Sequence, residues 1–305
     1  MKFKYVIVTP VHNEEEFIEE TIKSVVSQSI LPIQWLIVDD ASEDRTPEII
    51  ADYQRRYDFI GYYRLEREDI KSYYSRRAHV FLAGYEKIKD SEFDFLAALD
   101  GDLELKQNYY EGILTEFYAN PKLGVASGVY LDWVDGCSRK VLRSDISTSG
   151  GLQVFRRECY EQIGGYVPLR HGGDDSLAEY TARMKGWQTH SFPAYQAIHK
   201  RPVGTRGKAS IFKARYCQGM ADYYLGTNIL FMFAKSIRRA LLEKPYIFGA
   251  TLRMIGFLSG YLRSEKRQVS SEVIKFIRKE QIRRLFKANK ADGSCEAGKF
   301  SEELS

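Results

Sequence analysis

Residues 95–105 read Phe-Leu-Ala-Ala-Leu-Asp-Gly-Asp-Leu-Glu-Leu, and the architecture of the chain can be worked out from this segment. Its first five residues are apolar without a turn former, which is typical of a strand buried on both faces of a parallel sheet. The run ends at Asp100 and Asp102, and Gly101 between them lets the backbone approach a ligand. Two carboxylates are costly to bury unless something binds them. The ligand that suits them is Mg²⁺ or Mn²⁺ shared with substrate phosphates, and the alternative is a strand followed by an acidic turn.

Strand-like and helix-like segments alternate before this segment. Strand–helix–strand units with right-handed crossovers build a parallel sheet, and its ligands bind beyond the carboxyl ends of the strands. Polar residues that follow separate strands should therefore share one edge of the sheet. The predicted strands are residues 5–9, 35–38, 60–65 and 95–99, and the predicted helices are about 14–28, 46–57 and 75–89. The polar residues at their ends are Thr9, Asp39, Asp40, Asp100 and Asp102.

Three motifs, each following a predicted strand, resemble the ordered signatures of family 2 glycosyltransferases. They are residues 9–15 (Thr-Pro-Val-His-Asn-Glu-Glu), 38–42 (Val-Asp-Asp-Ala-Ser) and 99–102 (Leu-Asp-Gly-Asp). The resemblance covers about residues 5–206, and the spacing of residues 77–105 is similar to that of the polyprenyl-phosphate sugar transferases of the family. It implies an α/β protein of GT-A fold, a Rossmann-like, mostly parallel mixed sheet flanked by helices.

A second acidic pair, Asp174 and Asp175, follows two glycines and opens a predicted helix. Aspartate is favoured in the first turn of a helix, so the pair could simply cap it. The resemblance implies instead that Asp175 is the general base that deprotonates the acceptor hydroxyl, and one residue can do both. Family members usually have Glu-Asp here, so Asp174 is a shorter carboxylate in the supporting position.

The resemblance also implies a metal, Mg²⁺ or Mn²⁺, and a UDP- or GDP-sugar donor. Asp102 is expected to hold the metal and His199 to complete its shell, and Lys200, Arg201 and Arg206 are alternative cationic partners of the diphosphate. The acceptor oxygen is expected to attack the anomeric carbon from the face opposite the leaving group, which inverts the configuration at that carbon. The residues expected to bind the nucleotide sugar are Thr9, Pro10, Asn13, Glu14, Asp40, Arg77, Asp100 and Asp174, with Arg76 an alternative to Arg77.

The C-terminal part of the chain has a different pattern. Residues 209–284 are predicted to be helical and amphipathic, and the apolar segments 225–233 and 246–262 are flanked by lysines and arginines. Arg253 is costly at the centre of a bilayer, which favours interfacial or re-entrant helices over a span. The alternative is a helical subdomain packed on the core. The predicted units are a GT-A domain (1–206), an amphipathic helical region (207–287) and a disordered tail (288–305).

Composition restricts the function further. Of 305 residues 44% are hydrophobic, which is enough for a sizeable core, and the net charge of +4 is too small to indicate nucleic acid. The basic C-terminal third instead suits an anionic lipid surface. The four cysteines have neither metal-ligand nor disulfide spacing, and the N-terminus does not resemble a signal peptide. These features predict a cytoplasmic protein at the inner face of the cell membrane.

Several functions remain open at this point. The favoured one is sugar transfer to a lipid-linked saccharide or glycan of a cell-surface polysaccharide, with polyprenyl phosphate as the alternative acceptor. A nucleotidyltransferase should have a glycine- and lysine-rich loop after its first strand, which is absent, as are a P-loop and a dinucleotide fingerprint. The Gln-x-x-Arg-Trp signature of processive synthases is also missing, which argues against polymerisation by this chain alone. A non-catalytic, membrane-associated nucleotide-sugar-binding scaffold is the remaining rival.

Overall fold

The computed structural model describes residues 3–66, 73–134, 137–140, 144–201 and 211–291. Within them the chain forms nine strands in one sheet and ten α-helices. The strands are β1 (Tyr5–Val11), β2 (Gln34–Asp40), β3 (Ile60–Leu65), β4 (Phe95–Ala98), β5 (Leu103–Leu105), β6 (Leu123–Val134), β7 (Cys137–Lys140), β8 (Val154–Arg156) and β9 (Gln188–His199). The helices are α1 (Ile18–Val26), α2 (Thr46–Gln54), α3 (Tyr73–Ile88), α4 (Tyr109–Ala119), α5 (Arg157–Ile163), α6 (Asp174–Met184), α7 (Ile211–Tyr224), α8 (Ile229–Leu242), α9 (Tyr246–Leu262) and α10 (Ser271–Ala291).

The strand order is β3-β2-β1-β4-β8-β6-β9-β5, and β7 pairs with β6. The four strands predicted in the first hundred residues are present and parallel. The rest of the sheet is mixed, because β8 runs antiparallel to β4 and β6 while β9 runs parallel to β6. The sheet is therefore mostly parallel in its first half and mixed in its second, as the predicted fold class requires.

Alternation along the central strands gives the sheet two buried faces. On β1 the side chain of Ile7 packs with the apolar residues of α1, α2 and α4, and that of Val8 packs with those of α3, α5 and α6. Because both faces are covered, the central strands are almost wholly apolar, and polar groups collect at the strand ends. This three-layer arrangement determines where a ligand can bind.

Helices α7, α8 and α9 form a small helical unit with its own core around Met220, Met232 and Phe257. None of the helices in the described ranges combines the length and the hydropathy that crossing a membrane requires. The last helix, α10, packs against α6 through an ion pair of Glu280 with Arg183 (2.8 Å). The division of the chain at residues 206 and 287 stays a prediction, because residues 202–210 and 292–305 lie outside the described part.

Candidate active site

The acidic residues predicted at the sheet edge follow neighbouring strands. Asp40 ends β2, Asp100 follows β4, and Asp102 directly precedes β5. Since β4 lies beside β1, and β1 beside β2, these strand ends are brought to the same edge of the sheet. Asp40 and Asp102 are buried, with 5% and 2% of their surfaces exposed, so both carboxylates need partners.

Arg77 on α3 connects this edge with the second acidic pair. Its Nε donates to Oδ1 of Asp100 (2.9 Å), one terminal nitrogen lies 3.5 Å from Oδ2 of Asp174, and the other donates to the carbonyl of Gly150 (3.2 Å). Burial opposes the charge of this guanidinium, but Asp100 and Asp174 raise its pKa well above the ordinary value. Arg77 is therefore a permanent cation that holds two acidic segments together.

Asp174 behaves differently from an exposed carboxylate. Burial raises its pKa to about 7, Arg77 opposes this shift, and the neighbouring charge of Asp175 adds to it. Only 6% of its surface is exposed. Asp174 can thus be neutral at a pH at which ordinary aspartates are ionised, which removes a charge that would repel a second carboxylate beside it.

Asp175 lies in the first turn of α6 and is half-buried. Its Oδ1 accepts a hydrogen bond from the backbone N–H of Ser176 (2.7 Å). The N-cap of α6 is Gly173, in the left-handed region at φ 97°, and no side chain caps it. The alternative was that Asp174 and Asp175 merely cap α6. What remains of it is the favourable interaction of their charges with the dipole at the start of the helix.

Two glycines separate the carboxylates of Asp175 and Asp100. A Cβ on Gly150 would lie 2.6 Å from Oδ2 of Asp175, and one on Gly151 would overlap Oδ2 of Asp100. The backbone N–H of Asp100 also donates to the carbonyl of Gly151 (3.0 Å). No role was predicted for these glycines, although a Gly-Gly pair before a strand is a signal that two backbone segments approach closely.

Asp102 is the candidate metal ligand. Its Oδ1 is buried and has no hydrogen-bond partner among the described residues. Because β5 pairs with β9, Leu103 lies opposite His199, whose Nε2 is 3.6 Å from that oxygen. Arg201 lies 3.9 Å from Oδ2 of Asp102 and forms an ion pair with the buried Glu14 (3.1 Å).

This arrangement offers a cation two protein ligands. In the described ranges no group of three or more His, Cys, Asp and Glu side chains is placed to hold a metal. The orphaned oxygen of Asp102 and the nearby imidazole of His199 nevertheless fit an ion whose remaining ligands come from a substrate, which is usual for Mg²⁺.

The nucleotide-side residues surround the ends of β1 and β2. Asp40 forms a two-pronged ion pair with Arg76, and Nδ1 of His12 lies 2.7 Å from its carbonyl oxygen. Asn13 is exposed at a positive φ of 51°, and its side-chain oxygen accepts from the N–H of Glu43 (2.8 Å). These contacts fix the first two motifs of the sequence against each other.

The other candidates that the sequence named are Thr9, Pro10, Lys200 and Arg206. The hydroxyl of Thr9 is fully buried and accepts a hydrogen bond from the indole of Trp35 (2.9 Å), and Pro10 pairs with Val38 inside the sheet. Lys200 is paired with Glu20 and Glu104, at 2.7 and 2.6 Å. Arg206 lies outside the described residues.

The comparison with protein families decides the classification. A model described as "Glycosyl transferase family 2" matches residues 6–171, which is more than half of the chain. The chain belongs to glycosyl transferase family 2. The predicted resemblance is thereby confirmed, and the matched region of this family 2 protein runs from β1 to just before α6.

Curated relatives of this family 2 protein include poly-β-1,6-N-acetyl-D-glucosamine synthases of staphylococci. The protein of Staphylococcus epidermidis is 30% identical over 200 residues, covering 59% of this chain and 44% of the relative. That of Staphylococcus aureus strain COL is 28% identical over 117 residues, or 38% of this chain and 26% of the relative. The chain thus spans less than half the length of these relatives.

Solved structures confirm the GT-A-like fold. The mannosyltransferase PcManGT of Pyrobaculum calidifontis, with GDP-mannose and Mn²⁺, has a TM-score of 0.55 at 18% identity, covering 97% of this chain and 82% of its own. TarS 1–349 of S. aureus has a TM-score of 0.56 at 15% identity, covering 95% and 87%. GalNAc-T7, with UDP, GalNAc and Mn²⁺, has a TM-score of 0.56 at 16% identity, covering 86% and 56%.

One buried acid of this family 2 protein was not singled out in the sequence. Glu179 lies one turn after Asp175 on α6 and accepts hydrogen bonds from the backbone N–H and the hydroxyl of Thr148, both at 2.6 Å. Thr148 begins the segment that leads to Gly150 and Gly151. Glu179 thereby links the helix of the candidate base to the glycine pair. Helical spacing from Asp175 is the only sequence signal that could have indicated it.

Proposed function

We propose that this family 2 protein is an inverting glycosyltransferase that moves a sugar from a UDP- or GDP-sugar to an acceptor hydroxyl. The observation that supports this function is the convergence of acidic residues from distant segments. Arg77 joins Asp100 to Asp174, and the glycine pair lies against both Asp100 and Asp175. Burying and half-burying so many carboxylates costs folding free energy, which is typical of a site that binds a ligand or catalyses a reaction.

In the proposed reaction Asp175 accepts the proton of the acceptor hydroxyl. Its half-buried position leaves one oxygen, Oδ2, facing the glycine pair, while Oδ1 is held by the N–H of Ser176. A neutral Asp174 would place no competing negative charge beside Asp175, and Arg77 would keep Asp100 oriented toward the donor sugar. Proton removal makes the acceptor oxygen a better nucleophile for attack on the anomeric carbon.

The metal is part of the same proposal. Asp102 and His199 would hold Mg²⁺ or Mn²⁺, and the mannosyltransferase and GalNAc-T7 structures contain Mn²⁺. When bound, such an ion neutralises charge on the departing diphosphate. Arg201 is the cation of this chain closest to Asp102 among the described residues, and we assign it to the diphosphate as well.

The proposed acceptor is a lipid-linked saccharide or glycan of a cell-surface polysaccharide, met at the inner surface of the cell membrane. The polysaccharide synthases among its relatives support the acceptor class. Peripheral membrane contact is supported by α8 and α9, whose outward side chains are large and apolar. Those with the largest exposed fractions are Leu262, Phe248, Leu241 and Ile247, at 86%, 75%, 73% and 70%.

The deciding experiment combines donor binding with turnover. UDP- and GDP-sugars are screened for thermal stabilisation with and without Mn²⁺, because a ligand of the native state raises its apparent stability. The Asp175→Asn variant should keep that stabilisation but lose at least about a hundredfold in transfer, the lower range for removal of a general base. The Asp102→Asn variant should lose the Mn²⁺-dependent part of the stabilisation.

Asp90→Asn is the matched control, since Asp90 is an exposed aspartate at the far end of α3. It should leave binding and transfer unchanged. Near-normal transfer by Asp175→Asn would refute the assignment of the base. If no nucleotide sugar stabilises the wild-type protein, sugar transfer from an activated nucleotide is not its function.

A further inference from the structure

Helices α7, α8 and α9 enclose charged side chains between them, whereas a helical unit in water normally buries apolar ones. We call this group the inner charge cluster. Its members are Arg215 and Asp222 on α7, Lys235 and Arg239 on α8, Glu243 directly after α8, and Arg253 on α9.

Glu243 is the centre of the cluster. Its carboxylate is 2.6 Å from a terminal nitrogen of Arg215 and 3.6 Å from one of Arg253, and it is also paired with Arg239. One carboxylate therefore serves three guanidinium groups. Arg215 and Arg253 also donate to the side-chain oxygen of Gln218, and Arg215 donates to the carbonyl of Lys244, but these acceptors carry no charge.

The second carboxylate does not correct this imbalance. Asp222 is engaged by Lys235, whose Nζ lies 2.7 and 2.8 Å from its two oxygens. The cluster as a whole contains four cations and two carboxylates, which leaves a surplus of two positive charges among these residues.

The surplus charge is partly removed from water. Arg253 and Arg215 have only 3% and 7% of their surfaces exposed. Burial lowers the pKa of Arg253 to about 10, and the positive charge of Arg239 adds to this shift. Burying like charges in this way is unfavourable unless a counter-charge joins them.

Ser236, a neutral polar residue on the same side of α8, has no hydrogen-bond partner among the described residues. Only 7% of its surface is exposed, and its hydroxyl oxygen is buried. Ser236 lies three residues before Arg239, so both side chains project from the same face of the helix. Buried hydroxyls are nearly always hydrogen-bonded, and an orphaned one beside surplus cations indicates an acceptor that binds there.

The surroundings of the cluster define what that acceptor is attached to. The outward face of α8 consists of Leu230, Phe233, Ile237 and Leu241, which are 49–73% exposed. Arg239, by contrast, has 30% of its side chain exposed and is the most accessible cation of the cluster. Leu242 follows Arg239 by three residues, and Tyr246, Ile247 and Phe248 begin α9 soon after Glu243; these four are 48–75% exposed. A ligand that reaches the cluster where α8 meets α9 therefore has apolar side chains beside it.

We propose that the inner charge cluster binds the phosphate group of an anionic membrane lipid, whose acyl chains lie against the exposed apolar side chains where α8 meets α9. A phosphate supplies the missing negative charge and several oxygens that match the planar guanidinium groups. Its oxygens also accept the hydroxyl of Ser236. The proposal rests on the membrane contact proposed above and adds the lipid class and the residues that recognise it.

The test compares two adjacent arginines of α8. Vesicles of phosphatidylcholine, with and without phosphatidic acid, are sedimented with the full chain at low and at high salt. Diffuse attraction to an anionic surface is largely screened at high salt, whereas a partly buried ion pair is screened much less. Arg239→Gln should lose about tenfold or more of the binding that depends on phosphatidic acid at high salt, as expected for truncation of a buried charge contact.

Arg238→Gln removes the same charge from the neighbouring exposed position and should bind like the wild type at high salt. Arg239→Lys, which keeps the charge, should recover part of the loss, and equal melting temperatures exclude unfolding as the cause. Equal losses for Arg238→Gln and Arg239→Gln at high salt, or binding that ignores phosphatidic acid, would overturn the proposal. So would stabilisation by inorganic phosphate without any lipid dependence, which would assign the cluster to free phosphate.

This test is independent of sugar transfer. Asp175→Asn should sediment with the vesicles like the wild type although it has lost turnover. Arg239→Gln could lose both vesicle binding and sugar transfer while Asp175→Asn loses only sugar transfer. In that case the lipid contact supports the reaction without taking part in its chemistry. Failure of lipid recognition alone leaves the proposed transferase function intact.

Discussion

Glu179 shows how a single buried acid can organise a segment of the candidate active site. Its carboxylate receives both hydrogen bonds that Thr148 can donate, and Arg183 lies 3.7 Å away. Burial raises the pKa of Glu179 to about 7, in spite of Arg183 and of these hydrogen bonds. The protonated acid is therefore favoured in the folded protein at pH values at which the unfolded chain carries the anion.

Replacing Glu179 with glutamine should change the pH dependence of stability. A raised folded-state pKa contributes stability that is complete below about pH 4.5 and is lost as the pH rises through about 7. Glutamine does not ionise, so the stability of Glu179→Gln relative to the wild type should rise by about 2 kcal/mol between pH 5 and pH 8. Thermal melts across this range measure the difference.

Asp174 has a pKa raised in the same direction but is present in both proteins, so it cancels in that comparison. Glu158→Gln, at an exposed position on α5, is the control and should show no such trend. A constant stability difference between pH 5 and pH 8 would contradict the elevated pKa of Glu179.

At the residue scale the sequence predicts which side chains are acidic and at which strand ends they occur. It does not predict the partners, because these come from tertiary packing. Arg77 was expected to contact the nucleotide, and in the structure its guanidinium joins Asp100 to Asp174. Asp174 lies 97 residues after Arg77 in the chain. Glu14 was likewise expected at the nucleotide pocket, and in the structure it is paired with Arg201.

Helices α7 and α9 approach each other unusually closely, and glycines make this possible. A Cβ on Gly256 would overlap the carbonyl oxygen of Tyr216, and one on Gly219 would overlap that of Arg253. In both cases the obstacle is backbone rather than a flexible side chain. The contact between these helices therefore depends on the absence of two methyl groups.

Gly256→Ala should push α7 and α9 apart. Overpacking against backbone costs about 1–3 kcal/mol, although alanine is the better helix former. The expected result is a lower melting temperature and faster proteolysis within the helical unit. Thr251→Ala on the exposed face of the same helix should leave both unchanged, and an unaltered melting temperature for Gly256→Ala would show that the helices tolerate separation.

At the element scale, long periodic segments were predicted well and short elements were not. The apolar run before Asp100 and the amphipathic helices after residue 209 have patterns long enough to recognise. Three-residue strands such as β5 and β8 have no period to detect, so these short strands were not predicted. Helix α1 begins at Ile18 rather than at Glu14, because the carbonyl of Glu14 accepts from Phe17 in a tight turn.

At the scale of the whole molecule, the apolar surface is concentrated on the helical unit, which is tied to α6 through α10. The N–H of Asn228, directly before α8, donates to the side-chain oxygen of Gln281 on α10 (2.8 Å). Gln281 on α10 donates to the hydroxyl of Tyr180 on α6 (3.2 Å), and Glu280 pairs with Arg183. Helix α6 begins with the acidic pair. Contact of the helical unit with a surface would thus fix the orientation of the candidate base toward that surface.

Ile237→Gln should weaken binding to neutral phosphatidylcholine vesicles. Full burial of an isoleucine side chain contributes about 1.5–3 kcal/mol, and 63% of Ile237 is exposed on α8. Leu31→Gln is the matched control, because Leu31 is also exposed but lies between α1 and β2. Unchanged vesicle binding together with a shift from dimer to monomer in solution would instead identify this face as a contact between two copies of the chain.

The four residues from Leu99 to Asp102 are anchored individually. The N–H of Leu99 donates to Val8 on β1, and the N–H of Asp100 donates to the carbonyl of Gly151. The carbonyl of Gly101 accepts from Thr21 (2.9 Å), and that of Asp102 accepts from Lys200 (3.1 Å). An insertion or deletion of even one residue in this loop would therefore break an anchor and displace the carboxylates of Asp100 and Asp102.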